Sequence, residues 1–487
     1  MDVIGLIQQF FDEIMPIMPQ FILILAALIV PVFGFKSSRV PALFTLAAAT
    51  LALAMTGYML FDGYHQNFRG MFEFNAFSGL MTSVFLIVLI LVTIISYTGC
   101  GSRRHRGEYF SLLMAATVGM MFVADSYNLI TMFVGIELAS ISSYALVAIR
   151  KNDPKAAEAA VKYLIIGGIS TALSLYGMSM IYGLTGSVML SDIAAHMSTA
   201  ALTWPYMVAI ITLIAGFGFK IAIVPFHSWA PDVYDGASTP VTTFLAVGSK
   251  KMGFIVFFKV FLMMFIAATL TGGIPEVQWI FAILAAVTMT VGNIVAISQT
   301  SIKRMLAYSS IAQAGYILIV LAVSTPYALE GGLFHMITHV FMKGGAFIVV
   351  AALAARGLGE NISDYKGLSK RAPLTAFAMM LFLFSLAGIP PLAGFASKFI
   401  LFSSAITPAG TWIWLVALAV INSAISLYYY ARVVKAMYVD KGTTTERVKV
   451  PMSFAIAMAI CAIATVAIGI YPMPILDLVE AAVKAFL

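Results

Sequence analysis

The chain has 487 residues, of which 61% are hydrophobic and 10% charged, with a mean hydropathy of +0.99 and a formal charge of +7. A soluble domain carries about 25% charged residues, so the composition excludes a soluble globular protein and describes a polytopic membrane protein. The excess of positive charge follows topology and is not a nucleic-acid footprint. Two cysteines, Cys100 and Cys461, offer neither a disulfide framework nor metal-ligand spacing.

The first 15 residues are mixed, with Asp2, Asp12 and Glu13, and do not read as a cleavable leader. A spanning helix needs about 20 mostly apolar residues, and windows of that length give about 14 candidates. They lie near 17–35, 41–61, 77–98, 108–124, 127–149, 156–185, 203–225, 239–268, 277–298, 302–324, 329–355, 373–401, 411–438 and 451–475. Connections between them are short, and none is large enough for a domain that holds a nucleotide or a redox cofactor. Basic residues cluster in the loops after the first, third, fifth, ninth, eleventh and thirteenth windows, while the opposite side holds Arg69 and Lys484. By the positive-inside rule both termini lie on the outer face of the cell membrane.

Two spans carry proline at mid-depth. One reads GFGFKIAIVPFHSWAPDVYDGASTP (216–240) and the other SLAGIPPLAGFASKFI (385–400). Proline removes a backbone donor and clashes with the preceding turn, so both spans should break. Broken helices inside a bilayer persist only where protein or a water-lined cavity satisfies the freed backbone. Lys220 precedes Pro225, whereas Lys398 follows Pro391. This reversed order, and the odd number of helices per unit, are read as an inverted-topology repeat. The expected organisation is all-α: N-terminal helices over 1–107, one five-helix unit over 108–268, a second over 276–438, and a C-terminal helix over 450–487. Each unit contains one broken helix.

Ionisable groups in these spans are the functional candidates, because an ammonium at the bilayer centre costs roughly 2.5–3.5 kcal/mol on insertion scales. Six lysines qualify: Lys220, Lys250, Lys251, Lys259, Lys343 and Lys398. Glu137, in FVGIELASISSY, is the one mid-membrane acid, and Lys220 is its best partner by depth. Lys250 is favoured over Lys251 because Thr243 lies seven residues earlier on the same helical face; Lys251 and Lys259 are assigned to packing or snorkelling. In FHMITHVFMKGGAF, His335, His339 and Lys343 are spaced i, i+4, i+8 and form a stripe about 12 Å long. Alternating histidine and lysine suits proton hopping. Two histidines at i, i+4 also fit zinc, but no HExxH glutamate or third ligand accompanies them. Six lysines against one acid cannot all be charged in low dielectric, so several should spend part of a cycle neutral. Opening and closing a Glu137–Lys220 pair would then act as a proton valve.

The run KIAIVPFHSWAPDVYDGASTPVTTFLAVGSK (220–250) resembles the antiporter-like subunits of complex I-type enzymes. That family includes the L, M and N subunits of NADH–quinone oxidoreductases, membrane subunits of related hydrogenases and archaeal dehydrogenases, and multi-resistance-type cation/proton antiporters. Further support comes from GIEL at Glu137, SIKRMLAYSSIAQAGY (301–316) and AGIPPLAGFASKF (387–399), and SAISLYYYARV (423–433) looks most like the N type. The resemblance implies that Glu137 and Lys220 are the valve pair and Lys250 the relay. Lys398 takes the position that is lysine in L and N types and glutamate in M types. His335 and His339 depart from N-type subunits whose equivalent helix is less polar. No iron–sulfur cysteine cluster or dinucleotide fingerprint is present, since GFGFK is not GxGxxG after a strand. No cofactor is therefore expected in this chain, and electrons would be handled by partner subunits. The expected partners are further antiporter-like subunits, the lipid bilayer and, indirectly, a peripheral arm with flavin and iron–sulfur centres. The donor would be NADH, F420H2 or ferredoxin, and the acceptor quinone-type. A subunit of a Na⁺/H⁺ antiporter complex is the alternative, and a structural scaffold the third reading.

Overall fold

A computed structural model of the chain describes residues 13–34, 39–68, 70–99, 105–198, 203–266, 275–407, 409–442 and 446–487. Asp2, Asp12, Arg69 and Cys100, named above, lie outside these segments. The helices are α1 (Met18–Gly34), α2 (Val40–Phe61), α3 (Ala76–Gly99), α4 (Arg106–Asp125), α5 (Leu129–Val147), α6 (Pro154–Thr185), the short α7 (Leu190–Met197), α8 (Trp204–Ile221) and α9 (Trp229–Gly236). The run 239–266, here α10, alternates α-helical stretches (Thr239–Phe244, Lys250–Phe257) with wide π-helical turns (Leu245–Ser249, Phe258–Ile266). Then follow α11 (Pro275–Ser298), α12 (Ile302–Val323), α13 (Pro326–Ala354), α14 (Pro373–Ala387), α15 (Ala393–Ser403), α16 (Ile413–Tyr438), α17 (Met452–Ile470) and α18 (Met473–Phe486). Among the described residues twelve helices are long and apolar enough to span. The α10 run and the broken pair α14/α15 add two crossings, so every sequence window finds its helix.

Two features were not anticipated. A two-stranded antiparallel hairpin, β1 (Gln66–Phe68) and β2 (Phe72–Phe74), sits between α2 and α3. The last window does not run on as one C-terminal helix. It stops at Ile470, and Pro472 and Pro474 start the separate α18, since proline cannot continue a helix but suits its first turn.

Helix starts follow from capping side chains. Asn128 Oδ1 accepts from the N–H groups of Ile130 and Thr131, Asp153 from Lys155, Ser301 from Arg304 and Thr325 from Ala328, each satisfying a donor that the first turn leaves unpaired.

The two halves share local devices in the same chain order. Before α5, Asn128 pairs with Met189 beyond α6, through Leu129 N–H to Val188 O and Leu190 N–H to Tyr127 O. Before α12, Ser301 pairs with Asn361 beyond α13, through Ile302 N–H to Glu360 O and Ile362 N–H to Thr300 O. Helix pairs α4–α5 and α11–α12 touch backbone to backbone at glycine. A Cβ on Gly119 would stand 2.6 Å from Ala139 N, and one on Gly292 2.5 Å from Ala312 N. Both breaks have a left-handed residue, Ala222 or Gly388, three positions before a cis proline, Pro225 or Pro391.

These matched devices lie on opposite faces. The Asn128–Met189 strand pair adjoins the hairpin, because Phe72 bridges to Ser126. The Ser301–Asn361 pair adjoins the basic loops at the far end of α5. There Arg150 donates to Gly236 O (2.7 Å), Lys155 meets Asp235 (2.8 Å), Lys162 and Arg304 share Asp232 (2.9 and 2.7 Å), and Lys303 reaches Asp235 O and Glu360. The inversion therefore arises from the odd number of crossings. The reversed lysine–proline order is not its signature: both breaks run in the same sequence direction, and the two lysines occupy different places relative to them.

Burial locates the centre of the molecule. The apolar windows of α12 and α13 are 94% enclosed, against 28% in α6 and 33% in α1. The histidine–lysine stripe of α13 therefore runs through the interior.

Candidate functional site

At the first break, α8 ends on Ile221 with Lys220 in its last turn. The freed backbone groups find partners in the protein: Trp229 Nε1–H donates to Phe219 O (2.8 Å), and Val224 N–H donates to Thr288 Oγ1 (3.1 Å). A broken helix is tolerated at depth on this condition. Lys220 is 6% exposed, and among the described residues its Nζ has no hydrogen-bond partner. The rings of Tyr144, Tyr163 and Phe219 lie 5.7–5.8 Å away. Glu137 is half-buried, and its Oε1 accepts from Thr171 Oγ1 at 2.8 Å. The structure brings Glu137 and Lys220 to one cavity of about 20 Å³, which accepts a single water, but they do not form a closed ion pair. Gly253 of α10 permits this arrangement, since a Cβ there would meet Ile221 Cγ2 at 2.6 Å and Lys220 Cβ at 3.2 Å.

The next groups come from α10. Lys250 Nζ donates to Ser310 O (2.8 Å) and Oγ (3.2 Å) on α12. Lys251 is not a packing residue: it is 1% exposed and lies 3.0 Å from His339 Nδ1 on α13. The wide turn Leu245–Ser249 separates Thr243 from Lys250, so the seven-residue spacing that favoured Lys250 does not hold one face. Instead the two adjacent lysines serve two neighbouring helices. Lys343 Nζ donates to Ser309 Oγ (2.7 Å), and Ser309 is hydrogen-bonded to the Tyr430 hydroxyl of α16.

His335 sits between Gln313 Oε1 (Nε2, 3.0 Å) and Ser397 Oγ (Nδ1, 2.9 Å). Gln313 Oε1 only accepts, so Nε2 carries a proton, while Nδ1 meets the Ser397 hydroxyl, which also reaches Gly394 O (3.3 Å). Three of the four ring nitrogens of the histidine pair are thus held by protein side chains. Gln313 Nε2 continues to Leu386 O (3.3 Å) at the second break, where Lys398 Nζ donates to the same oxygen (2.8 Å), to Ala387 O (3.2 Å) and to Ser423 Oγ (2.9 Å). Lys398 also forms one wall of a lateral recess of about 420 Å³, shared with Phe395, Phe399 and Leu427.

Glu137 and Lys220 thus stand at the first break, Lys250 and Lys251 reach α12 and α13, and His339, Lys343 and His335 lie between them and Lys398 at the second break. The intermediaries Ser309, Ser310, Gln313, Ser397, Ser423 and Tyr430 escaped the sequence reading, although SIKRMLAYSSIAQAGY and SAISLYYYARV contain five of them. The polar residues of three predicted apolar spans were the available signal. Two assignments need correction. Glu137 is not the one buried acid, because Asp125 at the end of α4 is fully buried. Lys259 does not snorkel: it is fully buried and donates to Ala124 O (2.5 Å) and Ser126 O (2.8 Å).

Two inverted halves with broken helices, threaded by buried lysines and histidines, define an antiporter-like membrane subunit. Residues 126–426 match the family model described as NADH:quinone oxidoreductase/Mrp antiporter, transmembrane region, and the chain belongs to that family. It is 42% identical over 488 residues to F(420)H(2) dehydrogenase subunit N of Methanosarcina mazei, covering 96% of this chain and 98% of the relative. With NADH-quinone oxidoreductase subunit N of Desulforamulus reducens it shares 42% identity over 421 residues, 86% of each chain. A chain of respiratory complex I from Thermus thermophilus, solved with bound aureothin, superposes with a TM-score of 0.81 at 31% identity, over 94% of this chain and 99% of that one.

Proposed function

We propose that this chain is the N-type proton-translocating membrane subunit of a complex I-like enzyme. Electrons pass in partner subunits from NADH, F420H2 or ferredoxin to a quinone-type acceptor, and this chain moves protons through Glu137, Lys220, Lys250, Lys398, His335, His339 and Lys343. The observation that carries the reading is the series of buried lysines and histidines that lies between two broken helices. The names of the relatives support the same class. In this mechanism the open Glu137–Lys220 pair is one state of a valve. Closing it places a carboxylate beside Lys220 and favours the ammonium there; opening it leaves Lys220 buried without a counter-charge and favours release of its proton toward Lys250. The work involved is about 2.3 kcal/mol per charge per 100 mV of membrane potential.

The five-helix units span 108–268 and 276–438, flanked by the N-terminal helices of 1–107 and the C-terminal segment of 450–487. The chain sits in the cell membrane with both termini outside, beside other antiporter-like subunits. It carries no cofactor itself, and flavin and iron–sulfur centres reside in a peripheral arm that it does not touch.

The test is proton translocation by the intact assembly in proteoliposomes. Lys220→Ala and Glu137→Ala should each slow it ~10²-fold or more, the contribution of a positioned proton-transfer group. Wild-type pumping in both variants would overturn the reading. A subunit of a Na⁺/H⁺ antiporter complex is the second reading, since the matching family covers both. It predicts an assembly that purifies without flavin or iron–sulfur subunits.

A further inference from the structure

Away from the series just described, a second buried acid and base meet at the opposite end of α10. Asp125 and Lys259 are both fully buried. Lys259 Nζ donates to the carbonyls of Ala124 and Ser126, the residues on either side of Asp125, and lies 4.0 Å from the centre of the Tyr127 ring. Gln20 Nε2 of α1 donates to Asp125 Oδ2, and Ser78 and Thr82 of α3 border the same carboxyl. Three polar atoms here have no hydrogen-bond partner among the described residues: Asp125 Oδ1, Gln20 Oε1 and Thr82 Oγ1.

A blander account gives Lys259 a structural task. The last carbonyls of a helix lack intrahelical donors and lie at the negative end of its dipole, and an ammonium satisfies both needs. That account explains Lys259 but not Asp125. A fully buried carboxyl with a free oxygen is expensive unless its charge is matched or it takes a proton. Its neighbour suits both forms. Gln20 serves an ionised Asp125 through Nε2, and after a side-chain flip its Oε1 accepts from a protonated one.

Beside this pair a polar track leads outward. Asn75 Nδ2 donates to the Tyr127 hydroxyl (2.9 Å) and to Glu73 Oε1 (3.1 Å). Glu73 in turn meets His65 Nε2 at 3.2 Å, with side-chain exposures of 24% and 66%. These hydrogen bonds thus run from Tyr127, beside the buried pair, to a solvent-facing histidine. The charged and titratable groups facing the pair are Glu73 from the hairpin segment and Tyr127, with His65 beyond Glu73.

We propose that Asp125 and Lys259 form a proton-exchange site that serves the hairpin face, with Glu73 and His65 as its surface terminal. Asp125 takes up a proton from the interior and gives it up toward the hairpin face, where Glu73 lies beyond Tyr127 and Asn75, while the Lys259 ammonium holds the carboxylate form in place between transfers. This rests on the reading of the chain as a proton-translocating subunit.

The assembly purified with this chain and reconstituted in liposomes provides the test. Difference infrared spectra recorded while the pH is stepped on the hairpin side should contain a carboxylic-acid band that Asp125→Asn removes. Asp125→Asn should also slow proton release on that face ~10²-fold, with Asp125→Glu restoring most of it and Glu73→Gln giving a smaller loss. If Asp125→Asn does not assemble, Gln20→Leu identifies the band by shifting it. An Asp125 band that ignores hairpin-side pH overturns the site, even if Lys220→Ala abolishes pumping. A band that responds, in an assembly where Lys220→Ala pumps normally, supports the site and removes the function proposed above.

Discussion

The two breaks have the same backbone design and hold their lysines in opposite ways. Each combines a left-handed residue with a cis proline three positions on. At the first, Lys220 stands before the break with no hydrogen-bond partner among the described residues and faces a water-sized cavity. At the second, Lys398 reaches back from beyond the break and is held by two carbonyls and a serine. The repeated feature is thus the helix interruption itself, which exposes carbonyls at mid-depth. Which half uses those carbonyls to bind an ammonium depends on where the lysine is placed in the chain.

Lys220→Met should separate the halves most sharply. Proton translocation should fall ~10²-fold or more, while the thermal midpoint of the solubilised assembly stays level or rises, because an apolar side chain replaces a buried group that makes no hydrogen bond. Lys398→Met should behave differently, lowering stability by about 1–3 kcal/mol as the Leu386 and Ala387 carbonyls lose their donor; an unchanged midpoint would show that the second lysine is as loosely held as the first. Gly119→Ala and Gly292→Ala probe the shared scaffold. Each inserts a methyl against backbone, so both should destabilise by about 1–3 kcal/mol, and a large difference in thermal melting would break the equivalence of the halves. Smallest is Ser423→Ala, which removes one of three bonds to Lys398 and should cost about 1 kcal/mol in the same assay.

The crossings and both interruptions were legible in the sequence, because apolar length and proline act locally. The stripe His335, His339 and Lys343 was legible too, since α13 keeps one helical period through it. Partner choice was not. Lys251 was set aside on a phase argument that assumed regular turns between Thr243 and Lys250, and the wide turn invalidates it. Asp125 was missed because it falls between two windows and read as a loop residue, whereas α4 runs on to include it and Lys259 closes over it. Ser309, Gln313 and Tyr430 looked like tolerated polar residues until helices far apart in sequence brought them into contact.

The wide turn ahead of Lys250 amounts to a phase slip of one residue, the helical counterpart of a dislocation in a crystal. Regular α-helical winding through all of 245–249 would rotate everything beyond it by about 100°. That is the angle between neighbouring side chains, so one of the two lysines would take the bearing that the other now holds. A defect of this kind can change which partner a buried charge faces while both ends of the helix stay anchored, because the rotation is absorbed within the helix.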